Sequence, residues 1–386
     1  MKKYLILPVY LICIALSSVI FVGCNDDDDP IEDPKAEALT PIVKNYVNNI
    51  VIPTYKNLAD GTLILYEKLK ALKAEKTDAN VQAAADAWTS TRVNWELSEA
   101  FLFGPVDVFG IDPRIDTWPV AVAEINKLLN NPQSIEKLAA EDQDFLEPID
   151  RSLLGFHGVE YILFSEGKVK KAANITDAQL TYAVAIGSDL RNQCIRLEAS
   201  WAGIDNVSSE KQNLIKNLIL VIEGDGFSVY GEEMLNPRPE SSTFPSVTAS
   251  AAYILEFAFT IADEVGNVKI GTAANESASE EDKNYIESPY SYNSLKDFTD
   301  NIQGIENAYL GTAYGVKGAS ISEYIASVNP EADKAVKDQI AASYAAIKAI
   351  PFPFDYTSTQ ADAAVKGIGT DLAKALKDAK AVLLQE

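Results

Sequence analysis

The single histidine of this 386-residue chain, His157, lies in Leu153-Leu154-Gly155-Phe156-His157-Gly158-Val159-Glu160-Tyr161-Ile162-Leu163-Phe164. Ordinary composition would supply several histidines, so one survivor flanked by glycines is informative. On a helix, His157 and Glu160 are i and i+3 and share a face. Imidazole and carboxylate converging on one point can hold a metal ion. They can equally form a hydrogen-bonded pair in which Glu160 orients the ring. Gly155 and Gly158 weaken a helix but let a second backbone or a ligand approach closely. The plainer alternative is a core histidine paired to a glutamate, with the glycines making room for a neighbouring helix. The pattern lacks the second histidine of a His-Glu-x-x-His zinc peptidase. Any metal must take its other ligands from carboxylates, tyrosines, backbone or water. That donor set suits a hard or borderline ion such as iron better than a structural zinc.

The elements that must position these groups read as helices. Ile42, Val43, Tyr46, Val47 and Ile50 recur at helical spacing after Thr40-Pro41, where Thr40 is placed as a cap and Pro41 at the first helical position. Pro53 is expected to kink or end that helix, with Gly61 in the following turn. Val81, Ala84, Ala85, Trp88 and Trp95 form one helical face behind Asp78. The clearest stripe is Val365, Ile368, Leu372, Ala375, Leu376, Ala379, Val382 and Leu383, with lysines opposite. Leu218 to Ile222 fits a short strand or a buried helical turn. Ordered loops are expected at 104–119 and 224–245, and a polar break at 266–289 that ends in Glu287-Ser288-Pro289-Tyr290.

Lys2 and Lys3, an apolar run from Tyr4 to Val22, then Gly23-Cys24, have the order of a signal cut before a lipidated cysteine. The division predicted from sequence is a signal at 1–23, an acidic tether at 24–35, an N-terminal helical bundle at 36–170 and a C-terminal one at 171–386. Cys24 would carry the lipid and hold the protein in the cell envelope, at the outer membrane, on its periplasmic or exposed side. Cys194 is then the one cysteine left in the mature chain, so no internal disulfide is available. It is expected as a small buried apolar residue. With 33 basic and 56 acidic residues the chain carries −23. That balance repels nucleic acid and excludes it as a partner.

Gly155-x-His157-x-x-Glu160 is similar to the hallmark motif of the imelysin-like family. Two further blocks resemble it. One is Arg92-x-x-Trp95-x-x-Ser98-Glu99-Ala100-Phe101-x-Phe103-Gly104-Pro105 with Asp112-x-Arg114-Ile115-Asp116-x-Trp118-Pro119. The other is Ser288-Pro289-Tyr290-Ser291-x-Asn293-Ser294 with Asp297-Phe298, Asn301-Ile302, Ile305 and Tyr309-Leu310-Gly311. The resemblance implies an all-α protein of two helical-bundle domains packed side by side, with the His-x-x-Glu site near their interface. It also implies a part in bacterial iron uptake, with iron or an iron-bearing ligand as partner and envelope iron-transport components nearby. Some relatives are named as peptidases, but His157 and Glu160 alone do not supply nucleophile, base and charge stabiliser.

On this basis His157, Glu160 and Glu99 are the expected metal ligands, pointing together into a polar pocket between the domains. Gly155, Gly158, Arg114, Asp116, Trp118, Ser288 and Asn293 are placed around them. Arg114 and Asp116 are expected to pair with one another or with Glu99. Trp95 and Trp118 suit the core. Ser288 and Asn293 suit a cap for a helix beginning near Ser294. A metallopeptidase of the imelysin type and a surface module for protein or glycan, with His157 structural, are the alternatives from different classes.

Overall fold

The computed structural model describes residues 33–224 and 226–385. The expected signal, the lipidation site Cys24 and most of the acidic tether lie outside the described residues. About 72% of the described residues are helical. Among the described residues, the paired strands form two hairpins, Phe164–Ser165 with Lys168–Val169 and Thr312–Ala313 with Val316–Lys317. Each turns on two residues at positive φ, Glu166-Gly167 and Tyr314-Gly315, which suits the right-handed twist of a tight hairpin.

The long helices start where side chains satisfy their free N–H groups. Thr77 caps Asp78–Ser98 by accepting from the Asn80 N–H. Thr176 and Gln179 form a reciprocal capping box for Asp177–Ala202. Ser246 caps Val247–Glu264, and Asn329 caps Pro330–Ala349.

Two sets of helices pack around the core. Ile52–Ala74, Asp78–Ser98, Gly155–Leu163 and Asp177–Ala202 form one set. Ala36–Asn45, Val247–Glu264, Ser294–Leu310, Pro330–Ala349 and Ala373–Leu384 form the other, and Asp78–Ser98 lies against Ser294–Leu310 where they meet. The cut placed near residue 170 does not follow this grouping. Asp177–Ala202 lies beyond it yet packs on Ile52–Ala74, because the hairpin at 164–169 merely reverses the chain. Ala36–Asn45 lies before it yet packs on Val247–Glu264.

Several local expectations are corrected. The first helix begins at Ala36 with Pro41 inside it. Pro53 neither ends nor interrupts the helical path: a π-helical turn at Tyr46–Val51 precedes Ile52–Ala74. That wider turn accommodates the missing proline donor. Gly61 is mid-helix, and a Cβ there would meet Thr91 Oγ1 at 2.7 Å, so glycine allows Ile52–Ala74 to close on Asp78–Ser98. Leu218 ends a helix, and Ile219, left-handed and 84% exposed, is neither strand nor core. Cys194 is fully buried.

Candidate metal centre

Gly155 opens the His157 helix, Gly155–Leu163, at φ +68°, and a Cβ there would lie 2.0 Å from the Ile115 carbonyl oxygen. Glycine satisfies both demands. The backbone of the short helix Asp112–Ile115 therefore rests directly on the first turn of the His157 helix. Asp116 follows at once. Its Oδ1 is 3.1 Å from His157 Nε2, while His157 Nδ1 is 3.1 Å from Glu160 Oε2. The imidazole thus lies between two carboxylates and is fully buried.

Glu160 looks away from the remaining acids. Its Oε1 accepts from the Tyr290 N–H at 3.0 Å, the Ser291 N–H at 2.8 Å and the Ser291 hydroxyl at 2.7 Å. Glu160 is therefore the group that orients the ring and ties it to the 290–291 turn. Held by these donors, it is not a base poised over a water. The expected pair of ligands on one helix face is corrected: His157 faces the cluster, and Glu160 anchors it from behind.

The cluster is built on the stripe of Asp78–Ser98, where Arg92 and Glu99 continue the line of Trp88 and Trp95. The Arg92 guanidinium pairs with Asp116. It also reaches Glu96 at 2.5 Å, Glu287 at 2.6 Å and Asp297 at 3.6 Å. A π-helical turn, Val265–Ile270, delivers Lys269. Its Nζ is 2.7 Å from Glu99, 3.1 Å from Glu287 and 3.6 Å from Glu96. Asn301, on Ser294–Leu310, donates to Glu96 at 2.7 Å and to Glu99 at 3.1 Å.

Arg92, His157 and Lys269 face Glu96, Glu99, Asp116, Glu160, Glu287 and Asp297, all of them buried. Three cationic groups stand among six carboxylates, and burying an uncompensated charge is costly. The charge states respond accordingly. Burial lifts Glu99 and Asp297 well above the usual carboxylate range, and the Glu96 carboxylate adds to both. Burial likewise pushes Glu287 up to about 7, against the pull of Lys269. Asp116 moves the other way: Arg92 and His157 hold it far below its ordinary value despite burial. His157 is raised to about 9, because Asp116 and Glu160 outweigh burial and the repulsion of Arg92. Below about pH 7 these three carboxyls keep their protons, which offsets the excess of three charges.

Such a cluster fits a cation in place of protons. Ligand atoms of Asp116, His157 and Glu287 lie within 4.8 Å of one another, as do those of Glu96, Glu99, Asp116 and Glu287. Glu287 Oε2, Asp297 Oδ2 and Asn301 Oδ1 are buried without a hydrogen-bond partner among the described residues. Oxygen donors with a single imidazole suit a hard or borderline ion. With Nδ1–H retained on Glu160, His157 would present Nε2 beside Asp116.

The other expected positions are placed as follows. Glu99 joins the cluster through Lys269 and Asn301. Arg114 pairs with neither Asp116 nor Glu99. It is held by Asp189 at 2.9 Å and Glu147 at 2.6 Å. Trp95 is core, but Trp118 is half-buried and lies against Tyr285, ring centres 4.1 Å apart. A Cβ on Gly158 would meet Ile186 Cδ1 at 2.8 Å, so this glycine admits a neighbouring side chain. Asn293 occupies the N-cap position of Ser294–Leu310, but its amide donates to Asp297 at 2.7 Å and caps nothing. Ser288 stands at φ +49° and is not a cap either. In place of the expected polar pocket between domains, these side chains lie in a closed, buried interior.

Glu96, Lys269, Glu287, Asp297 and Asn301 were not singled out as site residues from sequence. A signal existed for the first: Glu96 is one turn after Arg92, beside an otherwise apolar stripe. Lys269 sits in the apolar run Val265-Gly-Asn-Val-Lys-Ile270, but nothing local says what its ammonium faces.

The chain and its fold have counterparts among known proteins. The imelysin family model matches residues 51–383. Iron-regulated protein A of Synechococcus elongatus is 27% identical over 314 residues, covering 81% of this chain and 76% of the relative. A solved structure from Parabacteroides distasonis, described as an iron-regulated protein A precursor, superposes with a TM-score of 0.76 at 24% identity, covering 92% of this chain and 97% of that one. An imelysin-like protein from Psychrobacter arcticum superposes at 0.55 with 15% identity, covering 91% and 94%. With its motif on the His157 helix and a family match across nearly all of the described chain, this protein belongs to the imelysin family.

Proposed function

We propose that this protein is a lipid-anchored envelope protein that binds iron, or the iron of an iron-bearing ligand, at Asp116, His157 and Glu287 in the service of bacterial iron uptake. Glu96 and Glu99 complete the acidic wall, and Glu160 fixes the ring. The observation that carries this function is the excess of buried carboxylates over cations around one imidazole. The iron-regulated names of two relatives support the choice of metal. Its partners would be the iron source and envelope iron-transport components, and Cys24 would hold it at the membrane.

The test is metal analysis of protein purified without a histidine tag, followed by titration of the apo form with ferrous and ferric iron. Saturable binding of about one ion per chain, lost in Asp116→Asn and Glu287→Gln, is the expected result. No binding in either oxidation state would remove the proposal.

One observation favours a second possibility. Both ring nitrogens of His157 already face carboxylates at 3.1 Å, so an imidazolium could act purely as a clamp within a surface-binding module. In that case the same variants would change stability and no metal would bind.

A further inference from the structure

We propose that a second site, separate from the buried charge cluster, binds an organic cation with an apolar body, such as an alkyl or aryl ammonium. A cavity of about 510 Å³ opens beside Gly104, lined in part by Phe103, Asp107, Tyr230, Phe244, Tyr253 and Phe257. It shares no lining residue with the His157 cluster, and its volume lies within the roughly 300–1,000 Å³ of small-molecule sites.

The walls are aromatic and mutually braced. Phe103 lies 4.6 Å from Phe257 and 5.6 Å from Tyr253, ring centre to ring centre. Tyr253 stacks on Phe257 at 27°, and Phe244 meets both Tyr230 and Tyr253 edge to face. Gly104 stands at φ +66°, and a Cβ on it would sit 2.3 Å from the Tyr230 ring, so this glycine lets the ring form the wall. Phe103, Tyr230 and Phe244 are buried and fixed, whereas Tyr253 and Phe257 keep part of their surface free.

The charges are what select a ligand. Arg238, the one basic residue among the described lining residues, is already paired with Glu233 and lies 3.7 Å from Glu240. Asp107 has no hydrogen bond or ion pair from its carboxylate to another side chain among the described residues. The wall is therefore net acidic, with the exposed carboxylate of Asp107 on the same cavity as the aromatic side chains. A neutral ligand would gain apolar burial and contacts to the Ser241, Ser242 and Thr243 hydroxyls but no charge attraction, and an anion would be repelled. A cation with an apolar surround gains from the rings and from Asp107 together.

The experiment uses the full mature chain. Benzyltrimethylammonium is titrated by calorimetry, and choline is compared with its uncharged isostere 3,3-dimethylbutan-1-ol. Saturable binding is expected, with choline about tenfold tighter than the alcohol. Asp107→Asn and Tyr253→Leu should each weaken benzyltrimethylammonium severalfold with helix content unchanged. Glu287→Gln should leave it untouched. Absence of saturation, equal binding of choline and the alcohol, or full affinity in Asp107→Asn would each overturn the proposal.

Discussion

At the scale of the residue, the centre is an imidazole and several carboxylates competing for the same protons. His157 titrates near 9 in the fold against roughly 6.5 in an unfolded chain. Its stabilising pairings are complete below about pH 6.5 and are lost as the pH rises through 9. Glu287 holds its proton to about 7, whereas an unfolded glutamate releases it near 4.3. The folded state is thus penalised progressively as the pH rises from about 4.5 to 7. Both groups act in the same direction, so metal-free protein should melt at steadily lower temperature between pH 6 and pH 9. Melting temperatures that rise over that interval would contradict the charge states assigned here. Glu287→Gln removes one excess acid while keeping its shape. At pH 8 it should stabilise apo protein by about 1 kcal/mol and weaken iron binding at least tenfold, measured by chemical denaturation and by titration. His157 was legible in the sequence because it has no competitor. Glu160 as the group that orients the ring was one of two readings left open, since i, i+3 spacing places two side chains on one face without revealing the donors of a turn 130 residues away. Asp116 was placed close by, yet its partner was misread: Arg114 is two residues away, but its guanidinium is claimed by Asp189 from another helix.

At the scale of the element, the site depends on close backbone approaches. Gly155 seats the Asp112–Ile115 backbone on the His157 helix. Gly155→Ala combines a clash with a carbonyl and an unfavourable φ, so it should cost about 3 kcal/mol or more. It should also separate Asp116 from His157. The check is a denaturation curve beside an iron titration, and a variant with unchanged stability and binding would show that the approach is not required. A second contact joins two π-helical turns, Val265–Ile270 and Gly367–Leu372: a Cβ on Gly266 would sit 2.2 Å from the Gly369 nitrogen. This contact fixes the turn that carries Lys269. The helices themselves were readable from apolar spacing, as the stripe from Ile368 to Leu383 shows in its buried Leu372, Leu376 and Ala379. The π turns were not, because one extra residue in a turn leaves no mark in a 3.6-residue period.

At the scale of the whole molecule, the centre lies where the two sets of helices meet. Arg92 and Glu96 come from Asp78–Ser98, Glu99 from the turn that directly follows it, and Asp116 and His157 from the segments packed beside it. Lys269 follows Val247–Glu264, Glu287 precedes Ser294–Leu310, and Asp297 and Asn301 sit on that helix. The sequence showed that both groups of helices exist, but not which helices belong to each, because Asp177–Ala202 returns to an N-terminal partner. A ligand held at such a junction binds only when both sets are folded and docked. Its binding energy must therefore stabilise the assembly as a unit. At a free iron concentration one hundred times the dissociation constant, the gain is about 2.7 kcal/mol. Iron should shift one cooperative melting transition upward while helix content and tryptophan fluorescence report the same midpoint. Three of the four tryptophans, Trp88, Trp95 and Trp201, lie in the first set of helices and Trp118 lies against Tyr285, so tryptophan emission follows mainly the first set, whereas circular dichroism follows both. If iron moved the fluorescence midpoint alone and left a second dichroism transition in place, the site would belong to one helical set and the joint centre described here would be wrong.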